Sequence, residues 1–426
     1  LQKESSFSSN GVYGVIKSIN CYTYYPKTIY ADKLIFDKRD ELDSYFKVGD
    51  SYYSRAGWNA EFSNAQATEA DKTFTISLTG DVTFDLGTTG SIDLSLYDNV
   101  VINGEGTFKI TTNQKSGIIA KNLSIGANVI LDLDGGDPKK GVYTDEDRDG
   151  NFDAIVATSS LIIDGIIKIN HFYVCMYTNG TCDVGDNATI TVTNTVYGIY
   201  SNAELVFTSK GNISYTNTAS ASNNSICVGI LTYRAKNTFH FTGNSVTTIK
   251  AYNKGISTMD TNTANNVTVR VSGNANLSVQ ATYTNTSNYA VSNINHFIVE
   301  NENETQCNAT VSLIANSASA LTFLSSSSAA HSFVVNSTNE VNFVKDGSKC
   351  SQTGIAFNAG KYDFKILSHV GIKHFGDAMA FTSVTKVSAV CDHKIQTQWG
   401  DDKLNCTNSI KGSVTGITLT DWIYTA

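Results

Sequence analysis

Tyr197-Gly198-Ile199-Tyr200-Ser201, Val228-Gly229-Ile230-Leu231-Thr232, Lys254-Gly255-Ile256-Ser257-Thr258 and Thr353-Gly354-Ile355-Ala356-Phe357 are copies of one phrase, and Tyr289-Ala290-Val291-Ser292 is a looser copy. After each phrase comes a second short run, such as Leu205-Val206-Phe207, Phe239-His240-Phe241, Val267-Thr268-Val269 or Tyr362-Asp363-Phe364. A Gly/Asn turn often follows (Gly211-Asn212, Gly243-Asn244, Gly273-Asn274), then a third alternating run such as Ile213-Ser214-Tyr215 or Leu277-Ser278-Val279. The spacing from Phe207 to Phe364 gives about 31 residues per unit, and self-similarity at a fixed period of this size reads as a solenoid or array.

Working outward, the pattern reaches back to Thr73. Phe74 to Leu78, Val82 to Leu86, Thr107 to Ile110 and Val129 to Leu133 all alternate at period two, with Gly, Asn and Asp turns between them and no helical signal. Three runs per unit mean that equivalent runs recur every third strand. Stacking them places Ile, Val, Leu and Phe inward and Thr, Ser, Asn and Lys outward. The predicted fold is all-β: a parallel β-helix of roughly ten three-strand rungs over residues 73–377, with an insert at about 134–152. Residues 1–72 are Tyr-rich, charged and aperiodic, and read as an N-terminal cap or docking region with a short helix over 60–72. Residues 378–426 lose the period and read as a C-terminal cap or interface.

The Gly-Ile phrases at 198, 229, 255 and 354, the Phe/Val runs after them and the Gly-Asn turns resemble the right-handed parallel β-helix, or pectin-lyase-like, superfamily over residues 73–375. That resemblance implies the fold. It does not choose a function, because the superfamily holds polysaccharide lyases, glycoside hydrolases, phage tailspikes and surface adhesins. Its polygalacturonase-like members carry Asn-Thr-Asp, an Asp pair, Gly-His-Gly and Arg-Ile-Lys in that order. Here the adjacent pair Asp401-Asp402 follows Ser368-His369-Val370-Gly371, so the order is reversed, and the arginine motif is missing. Neither Pro26 nor Pro138 has an arginine nearby of the kind that pectate-lyase-like members use. The expectation is a protein that is not an enzyme.

Composition narrows the class further. The chain has 426 residues, 31 basic and 39 acidic side chains, and a formal charge of −8. With only five arginines it has no clustered cation surface of the kind that neutralises phosphate, so nucleic acid is not an expected partner. No apolar run approaches the roughly 20 residues of a membrane span. The chain opens at Leu1 without a Met, as a mature form after signal removal would. Its eight cysteines, an even number, suggest disulfides and an oxidising compartment. Cys175 with Cys182, and Cys391 with Cys406, are near enough in sequence to close small loops, whereas Cys21, Cys227, Cys307 and Cys350 can pair in three ways.

Three features carry candidate chemistry. Asp145-Glu146-Asp147-Arg148-Asp149-Gly150-Asn151-Phe152-Asp153 places carboxylates at alternate positions before a glycine, the start of an oxygen-ligand loop for a hard cation. Asp145, Asp147, Asp149 and Asp153 are the candidate ligands of a structural calcium ion. Val156 stands where an EF-hand would have Glu. Asn-x-Ser/Thr sequons lie at Asn122, Asn179, Asn187, Asn212, Asn223, Asn266, Asn276, Asn285, Asn303, Asn308, Asn336 and Asn405, each an N-glycan acceptor in a secreted chain. His171-Phe172, His240-Phe241, His296-Phe297 and His374-Phe375, with His331-Ser332-Phe333 as a variant, read as a core Phe beside an outward His.

These readings converge on an extracellular or cell-surface structural or adhesive glycoprotein. It would be a filament subunit that associates with itself, or with other surface proteins and glycans, through its terminal regions. A carbohydrate-active enzyme or tailspike-like glycan binder is the alternative.

Overall fold

A computed structural model of the chain describes residues 45–136, 152–217, 227–233, 236–259, 266–283, 288–326, 328–346, 351–391, 395–398, 408–411 and 423–425. Among these residues there is one short α-helix, Arg55–Glu61, and the rest of the regular structure is strand. No helix among them is long and apolar enough to cross a membrane.

The body is a solenoid of parallel strands, and each run pairs with its equivalent in the following unit. Tyr197–Ser201 pairs with Val228–Thr232, which pairs with Lys254–Thr258. Leu205–Ser209 pairs with Lys236–Phe241, then Asn266–Val271. Asn212–Asn217 pairs with Val246–Ala251, then Asn276–Ala281. Because register is kept from one strand to the next, like residues stack. Phe207, Phe239, Val269, Phe297, Phe333 and Phe364 are successive partners, and none is more than 1% exposed. Such columns bury apolar surface continuously along the rod, the main favourable term in its stability.

The glycine of the phrase is required by space. A Cβ on Gly229 would lie 2.2 Å from Ile249 Cγ2, and one on Gly354 2.5 Å from Ile372 Cγ2. Each of these partners is an inward residue of the third run. Where register continues this column, small residues stand in it: Ala154, Cys175, Ala290, Ala320 and Ala378. Two first-run strands, Tyr197–Ser201 and Val228–Thr232, are buried along their whole length, whereas third-run strands alternate buried with exposed or half-buried residues, as at Asn212–Asn217.

Residues 45–72 cover one end of this core. The helix begins at Ser54, whose Oγ accepts the Gly57 N–H at 3.1 Å, a normal N-cap. It delivers Trp58, fully buried, onto Phe84 with ring centroids 5.2 Å apart. Phe46 packs edge-on to Phe74 at 4.9 Å. The helix predicted over 60–72 is displaced: Ala65–Ala70 is instead a strand, antiparallel to Thr73–Leu78. Asp71 and Lys72 both take positive φ (49° and 59°), a two-residue hairpin turn, and cross-strand pairing overrides the weak helix preference of the Ala and Glu residues. Residues 1–44 lie outside the described residues.

The change of architecture expected at 378 does not occur in the described strands. Asp377–Phe381 pairs in parallel with Thr353–Phe357, Val384–Cys391 with Gly360–Ile366, and Ile395–Gln398 with Val370–Lys373. Asn408–Lys411 and Ile423–Thr425 continue two of these series. Asp377-Ala378-Met379-Ala380-Phe381 is the phrase again, with Ala in place of Gly and Met in place of Ile, a substitution that hides it from a Gly-Ile reading.

Candidate functional site

A polar constellation lies on the outer side of the second runs, where Arg270, Ile298, Val334 and Lys365 are successive register partners. Glu300 directly follows the strand His296–Val299 and is 4% exposed. Its Oε1 accepts the Lys365 Nζ at 2.6 Å and the Asn336 Nδ2 at 2.9 Å. A buried carboxylate is costly unless paired and hydrogen-bonded, and here it is both. Arg270 Nη1 donates to the Glu300 and Asn301 carbonyl oxygens at 3.3 and 3.2 Å. His240 Nε2 lies 2.8 Å from Ser272 Oγ, and its Nδ1 3.6 Å from Glu302 Oε1. Burial holds His240 below its ordinary pKa, against the raising effect of Glu302.

Chemically this is a tie between layers. The Glu300 oxygen that could act on a ligand is held by Lys365. Glu302 and Glu304, with side chains 78% and 82% exposed, stand on the loop the network anchors. No local signal marked this site, because Glu300 and Lys365 are 65 residues apart and meet only through the solenoid repeat.

Of the predicted calcium ligands, only Asp153 is described, and it does not fit. Its carboxyl is fully buried with no hydrogen-bond partner, beside Cys175, and burial pushes it well above the usual carboxylate range. Burial favours the uncharged form of this acid, which is a poor ligand for a hard cation. Asp145, Asp147 and Asp149 lie outside the described residues. Among the described residues no group of three or more His, Cys, Asp or Glu side chains gathers to hold a metal.

The cysteines also differ from expectation. Cys175, Cys182, Cys227 and Cys307 are buried thiols, and no disulfide occurs among the described residues. Cys175 and Cys182 do not close a small loop. The residues between them turn a corner of the solenoid, so Cys175 sits in the first-run column and Cys182 in the second, where its partners are Leu161 and Phe207. Burial raises both thiols, so they behave as small apolar residues. Cys21, Cys350 and Cys406 lie outside the described residues, as does the side chain of Cys391.

The sequons separate by environment. Asn336 is 6% exposed and committed to Glu300. Asn122 donates to the Asp98 carbonyl at 2.7 Å and accepts from Ser160, and Asn179 accepts from Ser201. Asn308 belongs to an outer ladder, donating to Asn274 Oδ1 at 3.1 Å while Asn274 donates to Asn244 Oδ1 at 2.9 Å. Asn187, Asn212, Asn266, Asn276 and Asn303 are exposed. Asn223, Asn285 and Asn405 lie outside the described residues.

Phe172, Phe241, Phe297 and Phe375 are core residues with half-buried histidines before them. His331 departs from this pattern. It lies two residues before Phe333, so the pleat turns it inward, where it is 1% exposed and stacks on Tyr362 at 4.6 Å. Burial lowers its pKa to about 4.

No family model matches this chain, and neither a curated protein nor a solved structure does.

Proposed function

We propose that this protein is a non-enzymatic structural or adhesive subunit of an extracellular surface, built as a right-handed parallel β-helix of roughly ten three-strand rungs of the pectin-lyase-like kind. The observation that carries this reading is the use made of its polar side chains. Asn244, Asn274, Asn308 and Thr338 bond to one another along the rod, and Asn336, Glu300 and Lys365 tie neighbouring layers together. These groups stiffen a rod and do not converge on a cleft. The Trp58 plug closes one end of the core, so self-association into a filament would run through residues 1–44 and the C-terminal region. N-glycans and a structural calcium ion held by Asp145, Asp147 and Asp149, without Asp153, belong to the same proposal. Electron microscopy of native material tests it: regular fibrils with a subunit repeat support the reading, and dispersed monomers overturn the filament.

The second reading, a carbohydrate-active enzyme or glycan-binding flank, is favoured by one observation, the exposed Glu302 and Glu304 beside His240 and Lys365. Cleavage of acidic or neutral polysaccharides that is lost in Glu302→Gln or Glu304→Gln would select it.

A further inference from the structure

We propose that Asn303 is where the folded protein accepts a saccharide, through an N-glycosidic bond to its side-chain amide. This rests on the extracellular glycoprotein reading and narrows it to one residue.

Most exposed sequons here have a simpler origin. Asn212, Asn266 and Asn276 each open a strand, and the residue after each (Ile213, Val267, Leu277) is buried. Asn-x-Ser/Thr is what period-two alternation makes of an Asn-, Ser- and Thr-rich outer surface around an apolar core, whether or not a glycan is attached. A transferase reaching such an acceptor in the folded protein would have to lift a strand out of its ladder. Asn187 is in a turn, but its sequon residue Thr189 opens a strand whose backbone is already in register with Ile166 and Asn212.

Asn303 is exposed in the loop 301–306, outside any strand. The backbone bonds that shape the loop do not involve its side chain. Asn301 N–H donates to the Thr305 carbonyl at 3.1 Å, and Glu304 N–H to the Asn301 carbonyl at 3.1 Å. Asn301 Oδ1 accepts the Gly273 N–H at 3.0 Å, which pins the loop to the layer below. Glu304, at φ 59°, reverses the backbone between acceptor and hydroxyl. Asn301 Nδ2 donates to Thr305 Oγ1 at 3.2 Å, which leaves the Thr305 hydrogen to donate to Asn303 Oδ1 at 2.7 Å. With Oδ1 so engaged, Nδ2 is the free end of the amide. Acceptor and sequon hydroxyl are already side by side on a protruding loop.

The donor is a diphosphate-linked saccharide presented by a transferase. Asn303 Nδ2 bonds to the anomeric carbon, the bond from that carbon to the diphosphate oxygen breaks, and the amide proton passes to a base of the transferase. No redox change is involved.

Peptide-resolved mass spectrometry of the native protein should find a saccharide on the Asn303 peptide and none on the Asn336 peptide. Saccharide on other sequons with Asn303 bare overturns the inference and leaves the glycoprotein reading standing, whereas every sequon bare overturns both. In a secretory host, Thr305→Val should lower Asn303 occupancy by about tenfold or more while Thr305→Ser keeps it. Unchanged occupancy in Thr305→Val overturns the inference. Asn303→Gln should remove the modification with little change in melting temperature, since the Asn301 bonds that pin the loop remain.

Discussion

A Cβ built on Gly255 would lie 1.9 Å from Val279 Cγ1, so the glycine of the first run and the valine of the third compete for one volume. Gly255 has no left-handed φ, so the requirement is steric rather than conformational. Gly255→Ala should therefore destabilise by about 1–3 kcal/mol, as overpacking does, despite the better strand propensity of Ala. Adding Val279→Ala should recover part of that loss. The recovery is incomplete because the Ala290 carbonyl oxygen lies 2.6 Å from the same Cβ. Urea titration of the two single variants and the double variant measures the coupling.

Removing the Lys365 ammonium leaves Glu300 charged and buried. Lys365→Met should cost about 2–3 kcal/mol, below the value for a fully buried pair because the Lys365 side chain is 24% exposed. Glu300→Gln in the same chain should restore most of it. Equal stability of the Lys365→Met variant and the parent in denaturant titration would show that the network contributes nothing.

Burial holds His331 neutral to about pH 4, while in the unfolded chain it titrates near the ordinary histidine value of 6.5. The unfolded state binds more protons between those values, so stability present above pH 6.5 is lost as pH falls toward 4. The shift corresponds to about 3 kcal/mol. His240 and His296 are shifted in the same direction by burial. His331→Phe, which keeps a ring against Tyr362, should flatten the melting temperature between pH 6.5 and 4. An unaltered acid slope would remove His331 as its source.

Asp153 works in the opposite sense. Its folded pKa is raised by burial, so its contribution is intact below the ordinary aspartate value of 3.8 and is lost as pH rises toward the raised value. Asp153→Asn should raise the melting temperature at pH 7 and leave it nearly unchanged at pH 3. If calcium binds the preceding loop, chelation should shift the Asn variant and the parent equally.

The period-two alternation and the Gly-Ile phrase carried the solenoid and the inward Phe column, from Phe207 to Phe364, because both are local patterns that neighbouring layers merely repeat. What escaped depended on partners distant in sequence. Ala65–Ala70 became a strand only through its pairing with Thr73–Leu78. Cys175 and Cys182 look adjacent in the chain and are separated by a corner of the solenoid. Asp153 reads as a ligand among acidic neighbours and is buried beside Cys175.

The amino-acid sequence alone determined that the chain stacks short strands, which residues of each strand face inward, and where outward Asn, Ser and Thr generate sequons. These follow from side-chain alternation and from turn residues within a few positions of one another. Tertiary structure alone decided that Lys365 neutralises Glu300, that His331 is enclosed, that Asn336 is spent on a buried carboxylate, and that Asn303 stands exposed on its loop. Each of these depends on which layers come into contact, a relation set by stacking register rather than by neighbours along the chain.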